Sequence, residues 1–478
     1  MSDAPIVVCF RQDLRLADHP ALNAAVATGQ PLVLCYVHDD TSPGDWAMGG
    51  ASRWWLHHSL RSLARDITTR GATLTLREGV WSDTVAVLAR SVGADAVYWT
   101  RGYEPWFIRQ ERALRDALND IEVRRFPGTL LFEPEDVQTG SGGPYKVFTP
   151  FWKACLKKPA PADARPAPKA LNGVDNPPDS LALEDLGLLP TRPDWAGGLR
   201  DTWSPGETGA HDRLNDFTDG VIGDYDDARN LPGVDGTSML SPHLHFGELS
   251  PRQVWHAAHA ASARGQHQRG IDVFLSEIGW REFSYHLLVH WPTLPEDPFR
   301  EQFAAFRWRQ DGPSLRSWQR GQTGMPIVDA GMRQLWHTGW MHNRVRMIVA
   351  SLLVKNVLIH WREGEDWFWD TLVDADLASN AAGWQWVAGS GADAAPYFRI
   401  FNPVTQSAKF DPNGDYLRRW VPEIAGLDKK HIHDPSSAPD HVLAAAGITL
   451  GTTYPLAIVD LKATRQRALD TYKALRSN

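Results

Sequence analysis

Over the first 130 residues, short runs rich in β-branched and aromatic residues alternate with segments of helical apolar period. The runs fall at 6–10, 31–38, 73–77, 96–100 and 121–126, and stretches such as 52–69 and 105–118 separate them. Near-continuous apolar strands alternating with amphipathic helices predict an α/β domain with a doubly wound parallel sheet. Sheets of that kind bind ligands at the carboxyl ends of their strands. The first strand is followed by Arg11-Gln12-Asp13-Leu14-Arg15, not by GxGxxG or GxxxxGK[ST], so a standard dinucleotide or P-loop site is disfavoured.

Between residues 157 and 209 the pattern breaks: nine prolines occur, with Pro177-Pro178 and Trp195-Ala196-Gly197-Gly198 among them. This predicts a long connector laid over the surface. Beyond about His211 the apolar period is helical, with segments at 273–288, 326–337, 343–359 and 455–475. The expected organisation is an α/β domain over 1–131, a connector over 132–210, and an all-α domain over 211–478. No repeat of fixed period is visible, and the one low-complexity stretch is the Ala/Pro run near 159–168.

A chain of 478 residues is long enough for two substantial cores. Lys plus Arg number 49 against 57 Asp plus Glu, a net charge of −8, which argues against a uniformly basic nucleic-acid coat. Any DNA contact must then come from a local patch. Cys9, Cys35 and Cys155 are scattered and form no CxxC pair, so neither a disulfide framework nor a zinc site is indicated and a reducing compartment fits. The N-terminus meets a charge too early for a signal peptide and no apolar run is long enough to span a bilayer, so a soluble, cytoplasmic protein is expected. Tryptophan is the outlier, with 22 residues against 10 tyrosines. Core filling is its commonest use.

Several segments have the composition of a ligand site. Gly236-Thr237-Ser238-Met239-Leu240-Ser241-Pro242 gathers hydroxyls before a proline, the pattern of a helix start that either caps itself or binds phosphate. Glu277, Trp280 and Arg281 fall at i, i+3 and i+4 on one helical face, where an acid, a flat ring and a guanidinium either recognise a base or form a surface ion pair beside a packed tryptophan. In 338–347, Asn343, Arg346 and Met347 share a face, and from Gly339 to Arg362 four basic residues occur with no acid. Such a local basic surface is what counterion-driven DNA binding needs, although a solvated helix looks similar. Asp374-Ala375-Asp376 and Asn380 suit either a divalent ion or a polar ligand. His342 is a ligand or base candidate, or a histidine satisfied by local hydrogen bonds.

In order along the chain, FRQDLRL (10–16), YKVFTPF (145–151), GTSMLSPHL (236–244), EIGWREF (277–283), GWMHNRVRM (339–347), HWREGE (360–365), DADLASNAAGWQW (374–386) and YFRIFNP (397–403) resemble the DNA photolyase and cryptochrome family. The resemblance spans nearly the whole chain, and eight ordered motifs are far more specific than any one of them. It implies an N-terminal antenna domain and a C-terminal helical domain that holds FAD, with Tyr225, Thr237, Ser238, Met239, Leu240, Ser241, Arg346, Asp374, Ala375, Asp376 and Asn380 as cofactor residues. Asn380 matches the residue facing flavin N5. A neutral amide there tolerates a reduced, anionic flavin better than a carboxylate would, which favours repair over plant-cryptochrome signalling.

Trp308, Trp361 and Trp384 match the family's electron-carrying tryptophans. The others, including Trp54, Trp55, Trp336 and Trp367, have only a packing role. Trp280 and Trp386 match the walls against which a flipped-out pyrimidine dimer packs, and Glu277, Asn343 and Met347 match residues that touch its bases. Extruding a lesion costs less than extruding a sound pair. Arg229, Arg281, Arg344 and Gln406 are DNA-contact candidates, the arginines through phosphate.

The 6-4 photolyases carry a second histidine where this chain has Met347, so the resemblance favours cyclobutane pyrimidine dimers in damaged DNA as substrate. It also implies an antenna chromophore. Methenyltetrahydrofolate is preferred over 8-hydroxydeazaflavin or FMN, and Glu104 and Glu111 are either hydrogen-bond partners of its pterin or exposed helix-start residues. No metal, membrane or obligatory protein partner is expected, and a monomer is. A cryptochrome-like photoreceptor is the rival function, disfavoured because the chain ends soon after 455–475.

Overall fold

The computed structural model describes residues 4–394 and 398–477; Tyr397, in the last of the eight motifs, lies outside them. The five expected strands form as β1 (Ile6–Phe10), β2 (Leu32–His38), β3 (Leu74–Glu78), β4 (Ala96–Thr100) and β5 (Glu122–Phe126). They pair in parallel in the order β3-β2-β1-β4-β5, so the chain reverses its direction of growth between β1 and β4. All residues of β1, β2 and β4 are buried, which explains their unbroken apolar runs. The edge strand β5 instead shows Glu122, Arg124 and Arg125 to solvent, charges that discourage pairing with another chain. Cys9 and Cys35 face each other across β1 and β2 as free thiols with sulfurs 3.4 Å apart.

The described chain divides into two compact units, 1–223 with 238–292 and 373–376, and 224–237 with 293–372 and 377–478. The first unit holds the sheet, the proline-rich connector and the helix Gln268–His290. The connector is pinned, not loose: the Leu32 amide donates to the Asn172 carbonyl at 2.7 Å, and the Leu76 amide donates to Ser180 Oγ at 2.9 Å. It contains a helix that the pattern does not predict, Phe148–Cys155, whose Phe151 and Trp152 are buried.

The second unit is built of helices, with Pro326–Thr338, Asn343–Ser351, Trp361–Thr371, Leu377–Ala388 and Leu461–Ser477 among them. Two expected helices change. The segment predicted as one helix over 343–359 is α-helical only to Ser351; Leu352–Val357 widens into a π-helix, stopped by Leu358 at φ 64°. The wider turn carries the fully buried Lys355, whose Nζ donates to the Ala388 carbonyl at 2.6 Å; such π segments recur at functional places. The segment predicted over 455–475 starts late, because the backbone of Leu456 and Ala457 packs on Gly324 and the Ile458 amide donates to the Thr323 carbonyl at 2.9 Å. Helix begins only where Asp460 accepts from the Ala463 amide at 2.8 Å.

Trp54 and Trp55 are core residues as expected, whereas Trp336 is 58% exposed. It lies flat on Trp367 at 6.0 Å and 11°, so the packing role expected for it is corrected to a surface stack. No helix among the described residues is long and apolar enough to cross a membrane.

Candidate flavin and DNA sites

At the carboxyl ends of β1 and β4, where a doubly wound sheet normally takes a ligand, the crevice is filled by the protein itself. Arg11 lies between Trp81 and Phe107, 4.7 and 4.6 Å from their centroids, and its guanidinium donates to Glu111 and to the Thr100 carbonyl at 2.6 Å each. A cavity of about 10 Å³ remains, room for about one water. Glu111 accepts from Gly102 and Arg125 as well, and Arg11 and its other partners hold its pKa below the ordinary value despite burial. Glu104 is buried, and desolvation with repulsion from Asp376 raises its pKa. The alternative that Glu104 and Glu111 are exposed helix-start residues is therefore corrected: both are interior groups.

The same unit carries the hydroxyl-rich turn. Met239 holds φ 51°, a left-handed conformation that a non-glycine residue keeps only where its surroundings impose it. Ser238 Oγ accepts from the Leu240 amide at 3.4 Å. The following helix, Ser241–His245, has only five residues and no side-chain cap, so the hydroxyls are not spent on ordinary capping. Asp374, Ala375 and Asp376 are buried in a tight turn closed by the Asp376 amide on the Asp374 carbonyl at 2.7 Å. Burial opposes ionisation of Asp376, yet His245 at 3.7 Å, Arg281 and the Tyr285 hydroxyl at 2.5 Å bring its pKa well below the carboxylate range. Asp376 is thus a fixed interior anion.

Glu277, Trp280 and Arg281 share the helix Gln268–His290, as their spacing requires. Trp280 is half-buried, stacked on Phe148 at 4.0 Å and 10°. Arg281 turns inward, over the Tyr285 ring at 4.9 Å and donating to the Thr129 carbonyl at 2.9 Å. The next residue, Glu282, accepts from the Leu131 and Phe132 amides, and burial raises its pKa to about 7.

In the second unit, His342 caps Asn343–Ser351 by accepting from the Arg344 amide at Nδ1, 3.2 Å away. Burial and the charges of Arg344, Arg346 and Arg229 lower its pKa to about 4, so the ring is neutral and its Nε2–H has no acceptor among the described residues. Arg344 lies on Phe410 at 4.5 Å and donates to Asn230 at 2.5 Å and weakly to the Met347 sulfur at 3.8 Å. Arg346 donates to the Met341 carbonyl at 2.7 Å, and Arg229 lies over Tyr225 at 5.4 Å. Asn343 is exposed, while Met347, Trp386 and Gln406 are half-exposed. Thr237 is half-exposed too.

The tryptophans of this unit run from interior to surface. Trp384 and Trp361 are 3% and 1% exposed, and Trp308 is partly exposed. Trp384 lies so close over Gly364 that a Cβ there would come within 2.0 Å of the ring; Trp361 is three residues before that glycine, on the same helical face. Trp361 meets His360 at 5.4 Å, and His360 meets Trp308 at 5.0 Å. Asn380 donates to the Glu365 carbonyl at 3.1 Å, which fixes its amide. Sequence patterning missed two further groups here. Gln385 pins 294–299 through the Phe299 amide and the Leu294 and Asp297 carbonyls. Glu365 is wholly buried with neither carboxylate oxygen hydrogen-bonded among the described residues, and desolvation raises its pKa well above the ordinary value. A single Gln or Glu inside a helical run carries no pattern to single it out.

Comparison with known proteins decides what these groups belong to. Residues 6–169 match the DNA photolyase model and 274–474 match the FAD binding domain of DNA photolyase. A deoxyribodipyrimidine photo-lyase of Agrobacterium fabrum is 51% identical over 478 residues, covering 100% of this chain and 99% of the relative. The chain belongs to the DNA photolyase family. It is an FAD-type flavoprotein of that enzyme family, with cryptochromes among its relatives: cryptochrome-1 of Arabidopsis thaliana is 38% identical over 476 residues, 96% of this chain and 69% of the relative. The crystal structure of a class III photolyase from Agrobacterium tumefaciens superposes with a TM-score of 0.97 at 51% identity, covering 100% of this chain and 99% of the other.

Proposed function

We propose that the protein repairs cyclobutane pyrimidine dimers in DNA by light, with reduced FAD as cofactor. The observation that carries this is the set Trp280, Asn343, Met347 and Trp386, all with surface to offer, in a chain 51% identical to a deoxyribodipyrimidine photo-lyase. Bound reduced FAD, excited by blue light, would supply one electron to the dimer and take it back after the ring opens, leaving no net redox change.

The chain's own groups suit that cofactor. Ser238, Met239, Leu240 and Ser241, with Tyr225 and Thr237, would hold its phosphates, for which a strained turn rich in hydroxyls is apt. Asp376, fixed as an anion, would accept from N–H and O–H donors, together with Asp374, Ala375 and Arg346. Asn380 would present a neutral amide at N5, its orientation set by the Glu365 carbonyl. Trp384, Trp361 and Trp308 would bring electrons from the surface to restore the reduced state.

Trp280 and Trp386 would wall the extruded dimer, Glu277, Asn343 and Met347 would touch its bases, and Arg229, Arg344 and Gln406 would meet DNA. Arg281, turned inward on Tyr285, supports Asp376 at least as well as it supports a phosphate contact. Methenyltetrahydrofolate is the preferred antenna chromophore, with 8-hydroxydeazaflavin or FMN as the alternatives. A cytoplasmic location is in keeping with the free thiols, and the protein would act as a monomer.

Absence of a second histidine at Met347 favours cyclobutane dimers over 6-4 products, which need acid–base help. Illuminating the photoreduced protein with oligonucleotides bearing each lesion tests this: repair of the cyclobutane dimer alone is expected, and repair of the 6-4 product would overturn it. The 38% identity to a cryptochrome supports photoreception as the second reading, in which neither lesion is repaired.

A further inference from the structure

Trp280 is not free to choose its orientation. Phe148, 8% exposed, covers one of its faces in a parallel stack at 4.0 Å and 10°. Phe283 meets both rings edge-on, at 5.8 Å from Trp280 and 6.0 Å from Phe148. Two slabs and a perpendicular wedge fix the tilt of the indole as well as its position, the offset-and-edge geometry that aromatic quadrupoles favour.

The brace behind it is in register along the helix Gln268–His290. One residue before Trp280, Gly279 lets the Trp152 ring approach so closely that a Cβ would come within 2.6 Å of it. Further on, Phe151 packs on Phe283 at 5.2 Å and on His286 at 5.0 Å, and the Tyr145 amide donates to His286 Nε2 at 3.0 Å. The helix Phe148–Cys155 thus touches positions 279, 280, 283 and 286, one continuous face. A ring has two faces, and one of Trp280's is spent inside the protein.

We propose that Phe148 is a positioning residue for lesion recognition: by backing Trp280 it commits the opposite face and edge of the indole, in one fixed plane, to a stacked pyrimidine. This rests on Trp280 being a lesion wall. A preset plane spares the ordering of a rotamer-rich side chain on binding, so the backing ring should act on discrimination between damaged and undamaged DNA, while general affinity follows the phosphate contacts.

The test measures Kd of the FAD-loaded protein for a thymine-dimer duplex and for the undamaged duplex at one salt concentration. Phe148→Leu keeps apolar volume and loses the flat backing. It should lower the damaged-to-undamaged affinity ratio about fivefold or more, within the range base–aromatic stacking spans, and Phe148→Tyr should restore it. In a Trp280→Ala background, Phe148→Leu should change the ratio no further. An unchanged ratio in Phe148→Leu, when Trp280→Ala lowers it, overturns the inference alone. So does a further drop in the double variant, since that marks general disturbance of the helix. A ratio unaffected by Trp280→Ala overturns both the inference and the wall on which it rests. Were Phe148→Leu too unstable to assay, Phe148→Met would take its place with the same criteria.

Discussion

Burial raises the pKa of Glu104, Glu282 and Glu365, whereas charged and hydrogen-bonding partners override it at Glu111 and Asp376. Glu282 ionises near 7 in the folded protein against an ordinary 4.5, so folding favours its neutral form. That contribution to stability is full below pH 4.5 and is lost as the pH rises through 7. Glu282→Gln keeps an oxygen for the Leu131 and Phe132 amides and cannot ionise. Its Tm should match the parent near pH 4.5 and exceed it at pH 8, a gain bounded at about 3 kcal/mol because each pKa unit is worth about 1.4 kcal/mol; melts at the two pH values check this. Among the tryptophans, Trp384→Phe should abolish most photoreduction of oxidised flavin while leaving repair by chemically reduced protein near the parent rate, a split that separates electron supply from catalysis in a single variant.

At the scale of elements, what the pattern predicts best is what burial makes uniform. β1, β2 and β4 are buried along their whole length, so their apolar runs were legible almost to the residue. Phe148–Cys155 was not, because eight residues between a glycine-rich turn and a proline tract give too little period. The π turn at Leu352–Val357 and the late start at Leu461 depend on tertiary contacts, to Ala388 and Gly324, that no local pattern encodes. Asp329 belongs to this scale too. It accepts from the Thr323 amide and hydroxyl, the Gly324 amide and Tyr454, tying a loop, a helix and a distant turn. Asp329→Ala leaves those donors buried and unpaired, and about 3 kcal/mol of stability should be lost, seen as a Tm lowered by roughly 5–10 °C.

Over the whole molecule, a net charge of −8 has to be reconciled with the proposed DNA binding, and a local patch would do so. Arg229, Arg344 and Arg346 crowd around a neutral His342. Affinity for undamaged duplex should fall steeply between 50 and 200 mM salt, and Arg344→Ala should reduce the log–log slope by about 1. Summed charge hides this patch, whereas the run from Gly339 to Arg362, with four basic residues and no acid, shows it. The motifs also supplied, by resemblance, the candidate flavin and DNA residues. They could not disclose that the β1/β4 crevice is closed by Arg11, or that Trp280 is backed by Phe148, because both facts depend on side chains far apart in the chain. The central claim is light-driven splitting of cyclobutane dimers, and the most direct measurement is thymine recovery in a dimer-bearing oligonucleotide bound to the photoreduced protein. Recovery under blue light and none in the dark is predicted; a bound, illuminated and fully reduced complex that leaves the dimer intact would contradict it.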